Sequence, residues 1–263
     1  MLSRYFVCFI IYSFLGWIYE TIFCTVHEKA WENRGFLYGP CIPLYGVGAI
    51  IAQFLFIDLP IERFSHPSYF AIFWVCAIGS FILEYSTSYV LEKRFNARWW
   101  DYSEFPTNIN GRVCLMFTVC FGFAGILVTQ YIQPPIINVV NRVPQSAIEL
   151  IALILMFIFG FDMALTISAL TSFANEFERI NEQINKQMTQ RVEALYSKPE
   201  PAIEEDEKTM KERLSTEYVM QWIKTATSTQ RGQLRHIAKF THPVASTKAL
   251  LDKGSEYMRR RKK

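Results

Sequence analysis

The first two thirds of this 263-residue chain contain little charge. Residues 1–170 include only 9 Lys and Arg and 11 Asp and Glu, whereas residues 171–263 include 18 and 13. Soluble domains carry about 25% charged residues, and this chain carries 19% overall. A single water-soluble globular domain is therefore excluded, and the composition indicates a membrane-embedded body followed by a polar tail.

Several sequence signatures of chemistry are missing as well. No GxxxxGK[ST] segment is present, so the chain cannot itself bind ATP through a P-loop. Neither GxSxG nor HExxH occurs, and the histidines and cysteines show no spacing typical of a metal site. We therefore expect no metal and no cofactor. Enzymatic activity stays open, but the sequence favours a protein without it.

Five stretches are apolar enough to cross a bilayer, for which a helix needs about 20 residues. They are about residues 5–25, 41–59, 68–90, 113–132 and 147–170. The predicted fold class is all-α: a polytopic membrane helix bundle of five transmembrane helices with a helical cytoplasmic C-terminal tail.

Basic residues are distributed unequally over the connecting segments. The N-terminus and the second and fourth loops hold one each, namely Arg4, Arg63 and Arg142. The first and third loops hold six, namely Lys29, Arg34, Lys93, Arg94, Arg98 and Arg112. Because cytoplasmic loops carry an excess of Lys and Arg, we predict a multi-pass protein of the cell membrane with its N-terminus outside and its C-terminus cytoplasmic.

The predicted domains are a transmembrane domain, residues 1–170, and three tail segments. Residues 171–196 carry an apolar stripe at helical spacing and predict an amphipathic cytoplasmic helix. Residues 197–208, SKPEPAIEEDEK, are typical of an acidic linker. Residues 209–263 hold 13 Lys and Arg against 4 Asp and Glu, which indicates either a solvated end or contact with anionic lipid headgroups. No nucleic acid partner is expected, because no folded binding motif accompanies this charge.

Ionisable side chains inside the predicted spans are candidates for function, because a charge at mid-bilayer costs roughly 2.5–3.5 kcal/mol on insertion scales. Polar residues in the cytoplasmic loops can reach them at the inner ends of the spans. Three interpretations stay open: ion pairs or hydrogen bonds of Glu20 and Glu84 with Arg34 and Arg112 that fix helix packing, a cation or proton site, and an active site. The predicted substrate-binding or intramembrane polar site comprises Glu20, Glu84, Asp162, Arg34, Arg112 and Asn110.

The same residues suggest a duplicated hairpin. Each half would consist of an inward span with a carboxylate near its end, a loop, an Asn-Gly-Arg-type segment and a return span. The two segments are NRG at 33–35 and NGR at 110–112. Since both hairpins would enter from outside, the hypothesis is a parallel repeat.

Six motifs carry a resemblance to a known family: FLGWIYE at 14–20, NRGFLYGP at 33–40, PLYG at 43–46, LEY at 83–85, ARWWDYS at 97–103 and NINGR at 108–112. Over about residues 5–170 the chain resembles the CmpB-like family of type IV ABC-transporter permeases. The resemblance implies a permease subunit without an ATPase domain of its own, embedded in the lipid bilayer and served by a separate ATPase subunit, with its substrate unknown. Further residues that match by position are Gly16, Trp17, Asn33, Gly35, Tyr38, Gly39, Pro40, Tyr85, Trp99, Trp100, Asp101, Tyr102 and Gly111.

Two other functions remain compatible with the residues. One is an intramembrane enzyme or binding protein for a lipid or isoprenoid phosphate, in which Arg34, Arg112 and Asn110 would hold the phosphate while a carboxylate does acid–base work. The other is a membrane scaffold subunit, in which the tail helix carries the function and the spans serve as an anchor.

Overall fold

The computed structural model describes most of the chain and divides it into two compact units. The first unit comprises the described parts of Met1–Leu91 and Trp99–Leu165, and the second those of Glu92–Arg98 and Thr166–Lys263. The described residues are 1–28, 35–59, 67–193, 217, 221–222, 224–227, 230–231 and 237–241.

The described chain is predominantly helical, which confirms the all-α prediction. Its helices are α1 (Leu2–Glu28), α2 (Pro43–Gln53), α3 (Tyr69–Phe95), α4 (Leu115–Leu127), α5 (Gln133–Arg142) and α6 (Gln145–Glu193). Two π-helical segments, π1 (Phe54–Asp58) and π2 (Val128–Ile132), continue α2 and α4. The strands have two residues each: β1 (Ala97–Arg98), β2 (Asn108–Ile109), β3 (Val113–Cys114) and β4 (Lys239–Phe240).

Within the described part of the chain, four helical stretches are long and apolar enough to cross a membrane. They are Leu2–Val26, Tyr69–Phe95, Leu115–Arg142 and Gln145–Ser172. These stretches support a multi-pass membrane protein, as predicted.

The second predicted span is a shorter apolar helix, Pro43–Asp58. It begins late because the segment before it is irregular, with Gly35 at a φ of 135° that favours glycine. Pro43 then occupies the first helical position, where its missing N–H costs nothing.

Small residues allow the helices of the first unit to pack closely. A Cβ atom on Gly46 of α2 would lie 2.8 Å from the Phe9 carbonyl oxygen of α1, and one on Gly122 of α4 would lie 2.6 Å from the Phe73 ring of α3. Such close approaches are how membrane helices associate without a hydrophobic driving force. The two hairpins, α1 with α2 and α3 with α4, therefore use the same packing device.

One end of the first unit is fixed by Arg4. Its guanidinium donates to the carbonyl oxygens of Val140, at 2.5 Å, and Val143, at 3.2 Å, where α5 ends. The neighbouring Tyr5 hydroxyl donates to Asp58 Oδ2 at 2.7 Å, which joins the start of α1 to the end of π1. A buried apolar cluster extends from this end between α1, α5 and α6, formed by Val7, Cys8, Tyr12, Val140, Ile148 and Ala152.

The second unit contains an antiparallel pairing of β1 with β4, in which Ala97 faces Phe240. Both of these side chains are buried, and Arg98 Nε forms an ion pair with Glu92 Oε2 at 2.6 Å. The predicted linker at 197–208 and most of the basic tail at 209–263 lie outside the described residues.

Candidate functional site

Two carboxylates and two tyrosines lie together at one end of the first unit. The Tyr45 hydroxyl donates to Glu20 Oε2 at 2.5 Å, and the Tyr102 hydroxyl donates to Glu84 Oε1 at 3.3 Å. Glu84 and Tyr102 each lie within electrostatic range of Glu20. We call these four residues the acid–tyrosine cluster.

Four different elements supply the cluster. Glu20 lies on α1, Tyr45 in the first turn of α2, Glu84 on α3, and Tyr102 in the loop between β1 and β2. Tyr45 approaches α1 over Gly16, one turn before Glu20, where a Cβ atom would lie only 2.5 Å from Tyr45 Cβ. Gly16, one of the family-motif residues, thus makes room for the Tyr45 ring.

The loop that carries Tyr102 is closed by a tight turn. Asn110 and Gly111 have φ angles of 53° and 68°, and Arg112 N donates to the Ile109 carbonyl at 3.0 Å. These angles define a type I′ turn, which joins two short antiparallel strands and favours Asn-Gly at its centre. The Asn-Gly of the NINGR motif is therefore explained by backbone geometry.

The same loop holds the Tyr102 ring in place. Tyr102 N donates to the Gly111 carbonyl at 2.8 Å, and Trp100 Nε1 donates to the Arg112 carbonyl at 2.8 Å. The Tyr102 ring stacks on Phe117 at a centroid distance of 4.9 Å. Burial, and then the nearby Glu84 and Glu20 carboxylates, raise the pKa of the Tyr102 phenol well above its usual range. Tyr102 therefore keeps its proton and remains a hydrogen-bond donor.

Glu84 is the most unusual member of the cluster. Its side chain is only 5% exposed, and although Oε1 accepts a hydrogen bond, Oε2 is buried without a partner in the described part of the chain. A buried polar atom without a partner costs roughly 1–3 kcal/mol, and more when it is charged. Glu84 is therefore poorly explained as a packing residue.

Arg112 and Asn110 both approach Tyr85. The Arg112 guanidinium lies 5.7 Å from the centroid of the Tyr85 ring and 5.4 Å from that of Tyr89, which is within cation–π range. Asn110 Nδ2 donates to the Tyr85 hydroxyl at 3.3 Å. These residues border the cluster from the loop side.

The ion pairs that the sequence left open as an explanation for the glutamates do not form among the described residues. Glu20 and Glu84 accept hydrogen bonds from tyrosines instead, and the Arg112 guanidinium lies over aromatic rings. Arg34, the other predicted partner, lies outside the described residues, as does Asn33.

Asp162 has a different environment from the glutamates. Its Oδ1 accepts a hydrogen bond from Tyr38 N at 3.0 Å and its Oδ2 accepts one from Gly39 N at 2.9 Å. A Cβ atom on Gly39 would lie 2.8 Å from Asp162 Oδ2, so a glycine is needed there. We call this arrangement the Asp162 anchor, because it holds the irregular segment before α2 against α6.

The remaining family-motif residues have structural contacts or lie at the surface. Trp99 is buried and its ring lies 5.2 Å from that of Phe36, while Asp101 accepts a hydrogen bond from Ser103 N at 3.2 Å. Trp17 is half-buried on α1, and Pro40 is exposed.

Tyr45 belongs to the PLYG family motif at 43–46 but was not among the residues predicted for the polar site. It lies beside Gly46 at the start of an apolar helix, and nothing in its spacing indicates that its hydroxyl meets Glu20, 25 residues earlier.

Two further features bear on ligands. Among the described residues, no three His, Cys, Asp or Glu side chains lie close enough together to hold a metal ion. A cavity of about 820 Å³ opens in the first unit between the two π-helical segments. Its lining is uncharged and includes Phe56, Ile57, Tyr69, Thr129, Gln130 and Asn138.

Several apolar helices around a buried polar cluster define the chain as a multi-pass membrane protein with ionisable groups in its interior. Residues 7–167 match the family described as "Putative ABC-transporter type IV". The chain belongs to this family, in agreement with the resemblance in its motifs. No curated protein and no solved structure matches the chain.

Proposed function

We propose that the chain is the membrane-spanning permease subunit of an ATP-driven transporter, without an ATPase domain of its own. The acid–tyrosine cluster is its polar binding site. The observation that carries this proposal is the buried Glu84 carboxylate, one oxygen of which has no partner among the described residues, within the family-matched part of the chain. An ionisable group inside a membrane protein is costly and marks a substrate or ion site by default.

The chain crosses the membrane five times in this proposal. The helix Pro43–Asp58 has 16 residues and a length of roughly 24 Å, somewhat less than a hydrocarbon core of about 30 Å. The short helix is hydrogen-bonded to α1 near both of its own ends. Tyr5 of α1 donates to Asp58, and Tyr45 donates to Glu20 of α1. The two contacts lie roughly 22 Å apart along α1 and roughly 20 Å apart along the short helix. The short helix thus runs antiparallel to α1 over most of a span.

The proposed orientation places the N-terminus outside and the C-terminus in the cytoplasm. It is supported by the basic residues of the loops after α1 and α3, which outnumber those of the other loops. The acid–tyrosine cluster then lies toward the cytoplasmic side, and the basic tail contacts anionic lipid headgroups at that surface.

A permease without an ATPase domain needs a docking surface for a separate ATPase chain. The loop between α3 and α4 supplies it, because it is cytoplasmic in the proposed orientation and ordered by the type I′ turn. Its exposed side chains include Glu104, Phe105 and Ile109. The same loop carries Tyr102, so ATPase docking and the polar site are connected through one segment.

Affinity purification of the full chain in mild detergent tests the proposal, with identification of both copurifying proteins and bound small molecules. We expect an ATPase chain in a fixed ratio to the permease. Glu104→Arg should weaken its recovery, because that change alters the docking loop at an exposed position. Asn141→Arg adds a charge at the opposite end of the first unit and should leave recovery unchanged. Absence of any ATPase from the intact complex would overturn the permease assignment.

A second candidate function is the binding of a lipid phosphate, because Asn110 and Arg112 converge on Tyr85 at the border of the cluster. An arginine with an amide beside it is suited to hold a phosphate group. In that case a lipid phosphate should copurify with the wild type and be lost from Arg112→Ala. A wild-type preparation free of bound phosphate would exclude this function.

A further inference from the structure

We infer that the acid–tyrosine cluster binds one exchangeable proton, carried by the Glu84 carboxyl group. The inference rests on the proposed binding site and names a ligand for it.

A second carboxylate, that of Glu20, lies within electrostatic range of Glu84. Around it, α1 contributes Glu20, α2 contributes Tyr45, and the loop contributes Tyr102. Among the described residues, the other titratable or charged groups nearby are Tyr19 of α1, which lies beside Tyr45 and within range of Glu20, Cys114 of β3, which lies within range of Tyr102, and Arg112, which lies over the Tyr85 and Tyr89 rings of α3. Because a buried carboxylate loses its hydration and is repelled by a second negative charge in range, the buried Glu84 favours the uptake of one proton.

The hydrogen-bond pattern shows which oxygen can take the proton. A tyrosine hydroxyl has a single hydrogen to donate. The Tyr45 hydrogen is directed to Glu20 and the Tyr102 hydrogen to Glu84 Oε1. Neither tyrosine can therefore also serve Glu84 Oε2, which is buried without a donor in the described structure. A proton on Oε2 removes one of the two negative charges and converts this oxygen into a donor.

The chemistry of the step is a simple exchange with water. Binding takes one proton from water to form the Glu84 carboxylic acid, and release returns that proton to water, with no other bond made or broken. The cluster thereby changes its charge by one. Displacement of the proton by an incoming cation would link the protonation state of the cluster to the occupancy of the site.

Infrared difference spectroscopy of the full-length protein in liposomes tests the inference. Spectra are recorded over a pH titration in H₂O and in D₂O. We expect a C=O stretching band of a protonated carboxyl group that grows as the pH falls and shifts in D₂O. Glu84→Gln should abolish this band, whereas Glu104→Gln, at an exposed loop position, should leave it unchanged.

Glu20→Gln provides a second measurement that does not depend on how well Glu84→Gln folds. It retains the Glu84 carboxyl but removes the neighbouring negative charge, so the midpoint of the band should move to lower pH. The inference is overturned if wild type shows no protonated-carboxyl band wherever it stays folded, or if the band persists in Glu84→Gln. The readout requires no ATPase, so its failure is distinguishable from failure of the proposed permease function.

Discussion

The Asp162 anchor and the acid–tyrosine cluster are both built around a carboxylate inside a membrane helix, yet they differ in how the oxygens are used. Both oxygens of Asp162 accept backbone N–H groups, from Tyr38 and Gly39. Glu84 is more deeply buried but uses one oxygen for Tyr102 and leaves the other without a partner in the described chain. A satisfied carboxylate fixes a backbone segment, whereas an unsatisfied one retains the capacity to bind.

The largest expected effect is on the anchor. Asp162→Ala removes the carboxylate that accepts the Tyr38 and Gly39 N–H groups, which should lower the free energy of unfolding by about 2–6 kcal/mol, or roughly 1–3 kcal/mol for each hydrogen bond. Thermal unfolding in detergent measures the loss. Asp162→Asn retains one acceptor oxygen and should lose less. Wild-type stability of Asp162→Ala would show that the anchor does not hold the segment before α2.

Glu84→Gln should have the opposite profile, with stability retained and function lost. Removing one charge-assisted interaction of about 3 kcal/mol lowers transport roughly a hundredfold. The measurement is ATP-driven uptake into proteoliposomes of the small molecule recovered with the wild-type complex. Glu149→Gln, at an exposed position outside both the cluster and the docking loop, is the matched control. Full transport activity of Glu84→Gln would show that the Glu84 carboxylate is not needed for function and does not differ from Asp162 in this respect.

Smaller effects on ligand binding should distinguish the two tyrosine–glutamate pairs of the cluster. Tyr45→Phe removes the shorter hydrogen bond, to Glu20, and should weaken ligand binding by roughly 1.5–3 kcal/mol. Tyr102→Phe removes the longer one, to Glu84, and should cost about 1 kcal/mol. Binding measurements on both variants in the same liposomes test this order. Equal losses would mean that the two tyrosines contribute alike despite their different distances.

The smallest effect concerns pH. Burial and the two carboxylates raise the pKa of Tyr102 above that of the unfolded chain, which is about 10 for tyrosine. The stabilisation by its hydroxyl is therefore complete below about pH 10 and is lost only as the pH rises through the folded-state value. Between about pH 6 and pH 9 the Tyr102 phenol should therefore stay protonated and show no tyrosinate absorbance, so any change of stability with pH in this range comes from other groups. Tyrosinate absorbance that includes Tyr102 within that range would contradict the assignment.

Composition and apolar periodicity were sufficient for the coarse architecture. The apolar stretches led to helices because backbone groups in a membrane must be hydrogen-bonded within the segment. The length of the second apolar helix is not predictable from the sequence, since it depends on tertiary contacts that hold residues 35–42 in an irregular conformation before the helix begins. The carboxylate that accepts the N–H groups of Tyr38 and Gly39 lies more than 120 positions further along the chain.

Of the candidate site, the sequence singles out the carboxylates but not the pairing of each one with a tyrosine. Glu20, Glu84 and Asp162 are conspicuous because charge is rare in apolar spans. Charge complementarity favours Arg34 and Arg112 as partners. Arg34 lies outside the described residues, and the fold brings Tyr45 and Tyr102 to the glutamates. Such pairings arise from packing between elements, for which helical spacing within one element gives no signal.

The two π-helical segments have a consequence for how this sequence can change. A π-helical turn amounts to one extra residue inserted into an α-helix, and one residue corresponds to about 100° of rotation around the helix axis. Because the wide turn absorbs the extra residue, deleting one residue from π1 or π2 would restore a regular α-helix whose downstream side chains keep their faces. A deletion in a regular stretch of α4, by contrast, would turn the downstream side chains by about that angle, and α5 would present a different face to Arg4. Single-residue deletions in these helices are thus tolerable at the two wide turns.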